Sequence, residues 1–429
     1  MNQKLDCAAF VGVDWADQEH AVCVLPAEGG PAQHCLVKQQ PEAIAAWVAG
    51  LRQQFGGRPI VVCLEQSRGG LIYALMAYEF LVLCPINPSQ LAAYRAALHP
   101  SGAKDDPTDA ELLASFVRDH GDRVRVWLPD DEVTRGLRLL SEQRRTWVEQ
   151  RVALEHQLRQ RLKETYPQAL ELIVGDLHSE YMLAFLAKFP TLKELQRASP
   201  RQLAKWLRLP RRRPDDLPAE QLQTMRIAAI RQAIPLTKDP AILEHARLVI
   251  CSVVAQIQSL NRAIVDCEQR IAELFARHPD HDLFASFPGA GTSLAPRLAA
   301  AFGTDREKYA TALNIQQLSG IAPVTRSSGK KKVVRARWAR SKFLHQTFYE
   351  FARCSTKYSV WAKAYVEMRR SAGAGYHVII RALAFKWQRI LFRCWQNGEC
   401  YDEQKYLQRL LVNAPRLARF LRPPEVETP

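Results

Sequence analysis

The sequence predicts an α/β domain at the N-terminus followed by a long, mostly helical region. Three observations predict it. Residues 8–128 alternate strand and helix signals. Two later stretches carry apolar residues at alternating steps of four and three, a heptad rhythm. The last third is rich in Arg and Trp and reads as helical. The chain has 429 residues, 47% of them hydrophobic, which is enough apolar material for two or three domains.

In chain order, AAFVGVDWA reads as a first strand, HAVCVLP as a second and HCLVK as a short third. PEAIAAWVAGLRQQF is an amphipathic helix ended by Gly56-Gly57. PIVVCLEQ is a continuous apolar run of strand length, as expected for a central strand covered on both faces. GLIYALMAYEF is helical, LVLCPINP a strand, and SQLAAYRAAL and DAELLASFVRDH are helices. Three strands, helix, strand, helix, strand and then helices is the order of an RNase H-like (RuvC-like) domain over residues 1–128. Other α/β domains also fit it.

Residues 129–172 hold a long helix over 130–166 with the seam Val133, Leu137, Leu140, Arg144, Trp147, Arg151, Leu154, Leu158. Residues 239–280 repeat the rhythm more strictly, from Leu243 through Ile250, Ile257 and Ile264 to Leu274. The two read as coiled-coil helices, packed antiparallel or between chains, or as core helices of one bundle. Between them, residues 173–238 form a helical insert whose basic turn RRRPDDLP carries helix-stopping prolines. Residues 281–400 form a mostly helical domain centred on HVIIRALAFKWQRILFRCWQNG, and 401–429 read as a polar tail.

Lys plus Arg number 59 against 44 Asp plus Glu, a net charge of +15. This surplus calls for a polyanionic partner, nucleic acid most simply, with a membrane surface as the other candidate. No apolar run looks long enough to span a bilayer, and MNQKLDCAAFVGVDW has no signal-peptide pattern. The ten cysteines show no CxxC pair or zinc-ligand rhythm; Cys63, Cys84, Cys251 and Cys267 sit in apolar stretches as reduced core residues. A cytoplasmic protein, without a membrane partner, is the expectation.

Two constellations carry chemistry. GAKDDPTDAELLASF places Asp105, Asp106 and Asp109 at the mouth of a helix. With Pro107 at the first helical position, Asp106 is the N-cap and Asp109 completes something close to a capping box. Asp14, ending the first strand, and Glu65, ending the buried fourth, point instead to a metal site. A charge at the end of a buried strand is costly unless it is held. In an RNase H-like sheet these two strands are neighbours and the following helix crosses their ends. Asp14, Glu65, Asp106 and Asp109 then converge and repel, and hard oxygen ligands favour Mg²⁺ or Mn²⁺. Two such ions about 4 Å apart clamp the attacking and leaving oxygens of a phosphoryl transfer. The cap and the metal site are compatible.

The second constellation is TRSSGKKKVVRARWARSK. Lys330, Lys331, Lys332, Arg335, Arg337, Arg340 and Lys342 fall within thirteen residues, just after Ser327-Ser328-Gly329. Such a stretch binds phosphates without sequence preference. A serine beside it is either ordinary loop chemistry or a nucleophile that needs a metal or base to act. PGAGTSLAPRL, with Gly289 and Gly291, reads as a helix–hairpin–helix turn whose glycines let backbone N–H groups approach a DNA phosphate, or as a common Pro-Gly turn.

The series GVDWA, CLEQS, KDDPTDAELLASF, FASFPGAGTSLAP, LSGIAPVTRSSGKKK and IIRALAFKWQRILFR, from about residue 8 to 410, resembles the D-E-D-D insertion-sequence transposases of the IS110 family. The resemblance implies a recombinase encoded by a mobile element, which excises and inserts it. It places the four acids at Asp14, Glu65, Asp106 and Asp109, with the DxxD spacing selecting Asp106 over Asp105. It places a nucleophilic serine at Ser328, five positions after Pro323. It further implies Mg²⁺ (or Mn²⁺), a covalent phosphoserine link to DNA, and a noncoding guide RNA that pairs with donor and target DNA. The phosphoester energy is kept in such a link, so the strand can be rejoined.

The acids and the serine are more than 200 residues apart, so the expectation is a composite active site in a dimer or tetramer. Two other readings stand beside it: a metal-dependent RuvC-like nuclease or resolvase using water, and a catalytically inactive nucleic-acid-binding scaffold.

Overall fold

The computed structural model describes residues 6–65, 69–98, 105–121, 124–172, 176–207, 218–329 and 331–421. The chain divides into two compact units between Pro129 and Asp130.

The first unit is built on β1 (Ala9–Asp14), β2 (Glu19–Pro26), β3 (Gln33–Lys38), α1 (Pro41–Gln54), β4 (Ile60–Leu64), α2 (Gly70–Leu75), β5 (Leu81–Pro85), α3 (Pro88–Leu98) and α4 (Asp106–His120). The sheet order is β3-β2-β1-β4-β5. The three N-terminal strands pair antiparallel, while β4 lies parallel to both β1 and β5. This five-stranded mixed sheet is consistent with the RNase H-like domain that the element order predicts. The first and fourth strands are neighbours, in register from Ala9↔Ile60 to Val13↔Leu64. β4 is buried at every residue, which explains its unbroken apolar run.

Side chains alternate between two covered faces. Val11, Val13, Val62 and Leu64 pack with α1 and α2, whereas Val61, Cys63 and Cys84 pack with Leu91 of α3 and Leu112, Leu113 and Val117 of α4. Burial pushes the Cys84 thiol up to about 12 and Cys63 higher still, and both are free thiols as expected of core residues. Gly12 sits on the second face. A Cβ there would lie 1.9 Å from Ala110 O and 2.5 Å from Ala114 N, so α4 rests directly on the backbone of β1.

The second unit opens with α5 (Glu132–Thr165), α6 (Gln168–Leu172), α7 (Glu180–Lys188), α8 (Leu192–Arg197), α9 (Pro200–Trp206), α10 (Ala219–Gln232) and α11 (Pro240–Ala276). The two long helices pack antiparallel within one chain. Cys267 Sγ donates to Leu140 O at 3.3 Å, and Arg151 Nη1 to Asn261 Oδ1 at 3.0 Å. The other seam arginine, Arg144, reaches Glu268 at 2.5 Å, whereas the buried Nε of Arg151 has no hydrogen-bond partner. The insert helices form a second core with the far ends of this pair, around Phe185, Leu203, Ile250 and Val254. Most of RRRPDDLP lies outside the described residues. One expectation is corrected here. α11 is long and apolar enough to cross a membrane, with a window of mean hydropathy 1.5. Its stripe Ile250, Val253, Ile257, Ile264, Cys267 and Ile271 is buried in the protein.

The rest comprises α12 (His281–Ala285), α13 (Gly291–Phe302), α14 (Ala312–Leu318), the hairpin β6 (Val324–Ser328) and β7 (Lys331–Arg335), α15 (Lys342–Ser355), α16 (Val360–Ser371), α17 (Tyr376–Asn397), α18 (Glu403–Asn413) and α19 (Pro415–Leu421). Trp361, Trp387 and Trp395 are fully buried around α17. Each indole N–H has an acceptor, at Tyr401 Oη, Ser355 Oγ and Gly303 O. The expected tail over 401–429 is corrected: α18 and α19 are helices, and Tyr406, Leu407, Leu410 and Leu417 pack on the core. Only 422–429 lie outside the described residues.

The Gly12 contact yields a paired prediction. Gly12→Ala forces α4 off the sheet and lowers the unfolding free energy by about 3 kcal/mol. Gly50→Ala, in α1 with open space at its Cβ, raises it by about 0.5–1 kcal/mol. Urea denaturation followed by tryptophan fluorescence checks both signs.

Candidate functional site

Asp14 is the last residue of β1, and Glu65 directly follows β4; both are half-buried. The β1–β4 register, continued one step past Val13↔Leu64, sets them side by side. By the alternation of the pleat, Asp14 shares the face of Gly12, and Glu65 that of Val61 and Cys63. That is the face α4 covers.

The three aspartates at the start of α4 divide their roles, and the expected cap is corrected by one residue. Asp105, not Asp106, is the N-cap: its carboxylate accepts from Thr108 N at 2.8 Å. This bond from Thr108 holds the Asp105 carboxyl below the usual range. Pro107 is then second in the helix, where its missing N–H is equally unneeded. Asp106 and Asp109 are thereby relieved of capping. They lie three apart on one helix face, Asp106 exposed and Asp109 only 2% exposed.

Asp109 has a partner that the sequence did not disclose. Arg95 of α3 donates to its Oδ1 from Nε at 2.8 Å and from Nη2 at 2.5 Å. A buried carboxylate needs such a cation. As a donor set the four acids suit a hard divalent ion, being all oxygen with no His or Cys. Among the described residues, however, no three such side chains already form a group able to hold an ion. Arg95 holds Oδ1, so an ion at Asp109 shares the carboxylate with a guanidinium whose charge opposes it.

In the second unit, the segment read as a flexible serine loop is a β-hairpin. Ser327 pairs with Lys332 and Ser328 with Lys331, and Gly329, at φ +55°, begins the turn. Ser328 is exposed beside that turn and shares a hairpin face with Arg326 and Arg335. Ser327 is on the other face, with Thr325 and the exposed Val334. Lys330 lies outside the described residues, as do the side chains of Lys331 and Lys332. Arg335 and Lys342 are exposed, Arg337 and Arg340 half-buried. Trp338, which the sequence reading passed over, stands 86% exposed between Arg337 and Arg340. The only signal for it was one aromatic inside a basic run.

The turn before the hairpin anchors this basic segment. Ser341 N donates to Leu318 O at 3.0 Å, His345 Nδ1 to Ser319 O at 3.0 Å, and Gln388 Nε2 to Ser319 Oγ at 2.8 Å. The α12–α13 turn does form a helix–turn–helix corner, with its glycines used differently from each other. A Cβ on Gly289 would lie 2.9 Å from Tyr358 and 3.1 Å from the Cys354 backbone. That space is filled by protein, so no side chain fits at Gly289. Gly291 faces open space.

Residues 11–167 match a family profile described as a transposase (DEDD_Tnp_IS110), and residues 281–367 match the "Transposase IS116/IS110/IS902 family". The chain is 28% identical over 413 residues to the mini-circle putative transposase for IS117 of Streptomyces coelicolor, covering 94% of this chain and 98% of that protein. It is 30% identical over 212 residues to the putative transposase y4uE of Sinorhizobium fredii, covering 49% and 58%. An uncharacterized 42 kDa protein of the insertion element IS900 of Mycobacterium paratuberculosis is 24% identical over 397 residues, covering 91% and 96%.

The Arg95–Asp109 pair is testable alone. Arg95→Ala takes a cation from a buried carboxylate and destabilises the protein by about 3 kcal/mol in EDTA. Adding Asp109→Asn recovers most of that loss. Denaturant midpoints of the four proteins in a double-mutant cycle measure the coupling.

Proposed function

The chain belongs to the IS110 family of transposases, and from that premise we propose that it cuts and rejoins DNA with Ser328 as nucleophile and Asp14, Glu65, Asp106 and Asp109 as a divalent-metal tetrad. The observation that carries the reading is the common placement of the acids. Two end neighbouring parallel strands, and the helix bearing the other two rests on the same sheet face through Gly12.

The chemistry assigned to the chain's own residues balances simply. Ser328 Oγ bonds to a DNA phosphorus, the bond from phosphorus to a DNA hydroxyl oxygen breaks, and the serine proton passes to that oxygen. A DNA hydroxyl later attacks the phosphoserine, releases Ser328 and rejoins a strand. No phosphoester bond is spent, whereas attack by water would lose one. Mg²⁺, when bound, lowers the charge built up on the phosphoryl oxygens. Arg326 and Arg335, on the face of Ser328, attract the phosphate, and the cations from Lys330 to Lys342 hold the DNA backbone.

The same proposal includes a guide RNA from the element, a dimer or tetramer as working form, and action in the cytoplasm on the nucleoid. Family resemblance and the +15 charge support these parts.

A covalent trap tests the reading. Full-length protein with the element's RNA, Mg²⁺ and donor and target DNA is denatured and probed for DNA attached to protein. An adduct is expected for wild type and Ser327→Ala and absent for Ser328→Ala. Asp14→Asn and Glu65→Gln reduce it by about 10²–10³-fold, the size expected for loss of one charge-stabilising group. Cut DNA without adduct means a water-using nuclease, and neither product means a binding scaffold.

A further inference from the structure

The second unit contains a cleft of about 700 Å³ that the serine and the acids do not explain. Its walls are α5, the start and middle of α15, and the first turns of α17. Arg145, Arg340, Lys342, Arg353 and Arg381 line it, against one acid, Glu350. Glu350 is already taken by Arg297, at 2.5 Å, and Arg145 by Glu149, at 2.8 Å. Lys342, Arg353 and Arg381 have no acidic partner among the described residues. The cleft therefore carries an uncompensated positive charge and attracts an anion.

Rings interleave with these cations. His345 and Tyr349 are stacked with centroids 6.2 Å apart at 19°, and Tyr349 and His377 likewise at 6.2 Å and 24°. Tyr349 Oη bonds His377 Nδ1 at 2.6 Å, which fixes both rings. Tyr376, 47% exposed, meets His377 edge-on at 5.5 Å. Gln346, on the cleft wall, has a buried Oε1 with no hydrogen-bond partner. A fixed aromatic ramp and unpaired cations suit a nucleotide: phosphate on the cations, base on the rings. The volume lies in the range of pockets that hold one small ligand, about 300–1,000 Å³. It takes a nucleotide or two and excludes a duplex, whose bases are in any case closed to stacking. The cleft shares Arg145, Gln346 and Glu350 with a smaller hollow of about 240 Å³ lined by Thr292 and Ser293, which extends the track toward the start of α13.

We propose that this cleft holds an unpaired stretch of a nucleic-acid strand, with phosphates on Lys342, Arg353 and Arg381 and a base stacked on the Tyr349–His377–Tyr376 rings. The inference rests on the reading of the chain as an enzyme of DNA strands. It assigns to unpaired nucleotides a surface that adjoins the basic segment after the serine hairpin, through Arg340 and Lys342. Displaced DNA and single-stranded RNA share this chemistry, and the test distinguishes them by the 2′-hydroxyl.

Short oligonucleotides bearing 2-aminopurine, as DNA and as RNA of one sequence, are titrated into the full-length protein, with a blunt DNA duplex as comparison. Wild type is expected to bind a single strand and quench the analogue by stacking; the tighter of the two strands names the source. His377→Ala, at an exposed position, and Tyr349→Leu each weaken single-strand binding roughly tenfold and restore the fluorescence. Arg353→Gln and Arg381→Gln each lower the slope of log affinity against log salt by about 0.7. Unchanged affinity and quenching in the ring variants, or no quenching by wild type, overturns the proposal. If the variants keep strand affinity while wild type still forms the Ser328 adduct, the cleft alone is wrong. If quenching behaves as expected but no adduct forms, the cleft stands and the serine reading falls.

Discussion

One close approach orders the N-terminal unit of this protein: α4 lies on the backbone of β1 at Gly12, with no side chain between them. Any larger residue meets Ala110 O and Ala114 N first. Because the helix sits at backbone distance, its opening turn arrives at the sheet face where Asp14 and Glu65 end their strands. The parallel pairing of β1 and β4 does the rest, since it aligns the two strand ends in register. Had α4 been held a side chain's width farther out, its acids would be separated from those of the sheet by a layer of apolar packing.

The three aspartates that open α4 would repel one another, and the chain divides their roles. Asp105 is consumed by the helix terminus, where its charge is favourable. Asp109 is buried and matched by Arg95. The matching cation belongs to the protein, so a divalent ion at Asp109 competes with a guanidinium rather than filling a neutral socket. The second unit has the opposite bias. Its hairpin exposes Arg326 and Arg335 and its cleft is lined by Lys342, Arg353 and Arg381, a local surplus of positive charge that attracts anions.

The sequence disclosed the parts whose signals are local and apolar. The buried run IVVCL, the heptad seams and the turn residues gave the sheet order and the long helices, because burial dictates residue type at each position. It disclosed the acids because a charge at the end of such a run is conspicuous. It concealed whatever depends on partners distant in sequence. Arg95 is an ordinary cation on a helix until Asp109 is found beside it. Gly12 is an ordinary strand glycine until α4 arrives. The serine hairpin looked like a loop because neither of its polar faces is buried, so no apolar alternation marks it. The C-terminal helices looked like a tail because Ala414-Pro415 interrupts their rhythm. The cap was off by one residue because proline serves equally at the first two helical positions.

The central claim is that the Gly12 contact assembles carboxylates that hold a divalent cation. Titration of full-length protein with Mn²⁺, followed by electron paramagnetic resonance of the free ion, tests it without requiring DNA or RNA. The account predicts saturable binding that is weakened at least tenfold by Asp14→Asn or Glu65→Gln, and strengthened by Arg95→Gln, which removes the competing guanidinium. Mn²⁺ binding indifferent to all three substitutions would contradict it, and the acids would then be no more than the polar edge of an RNase H-like sheet.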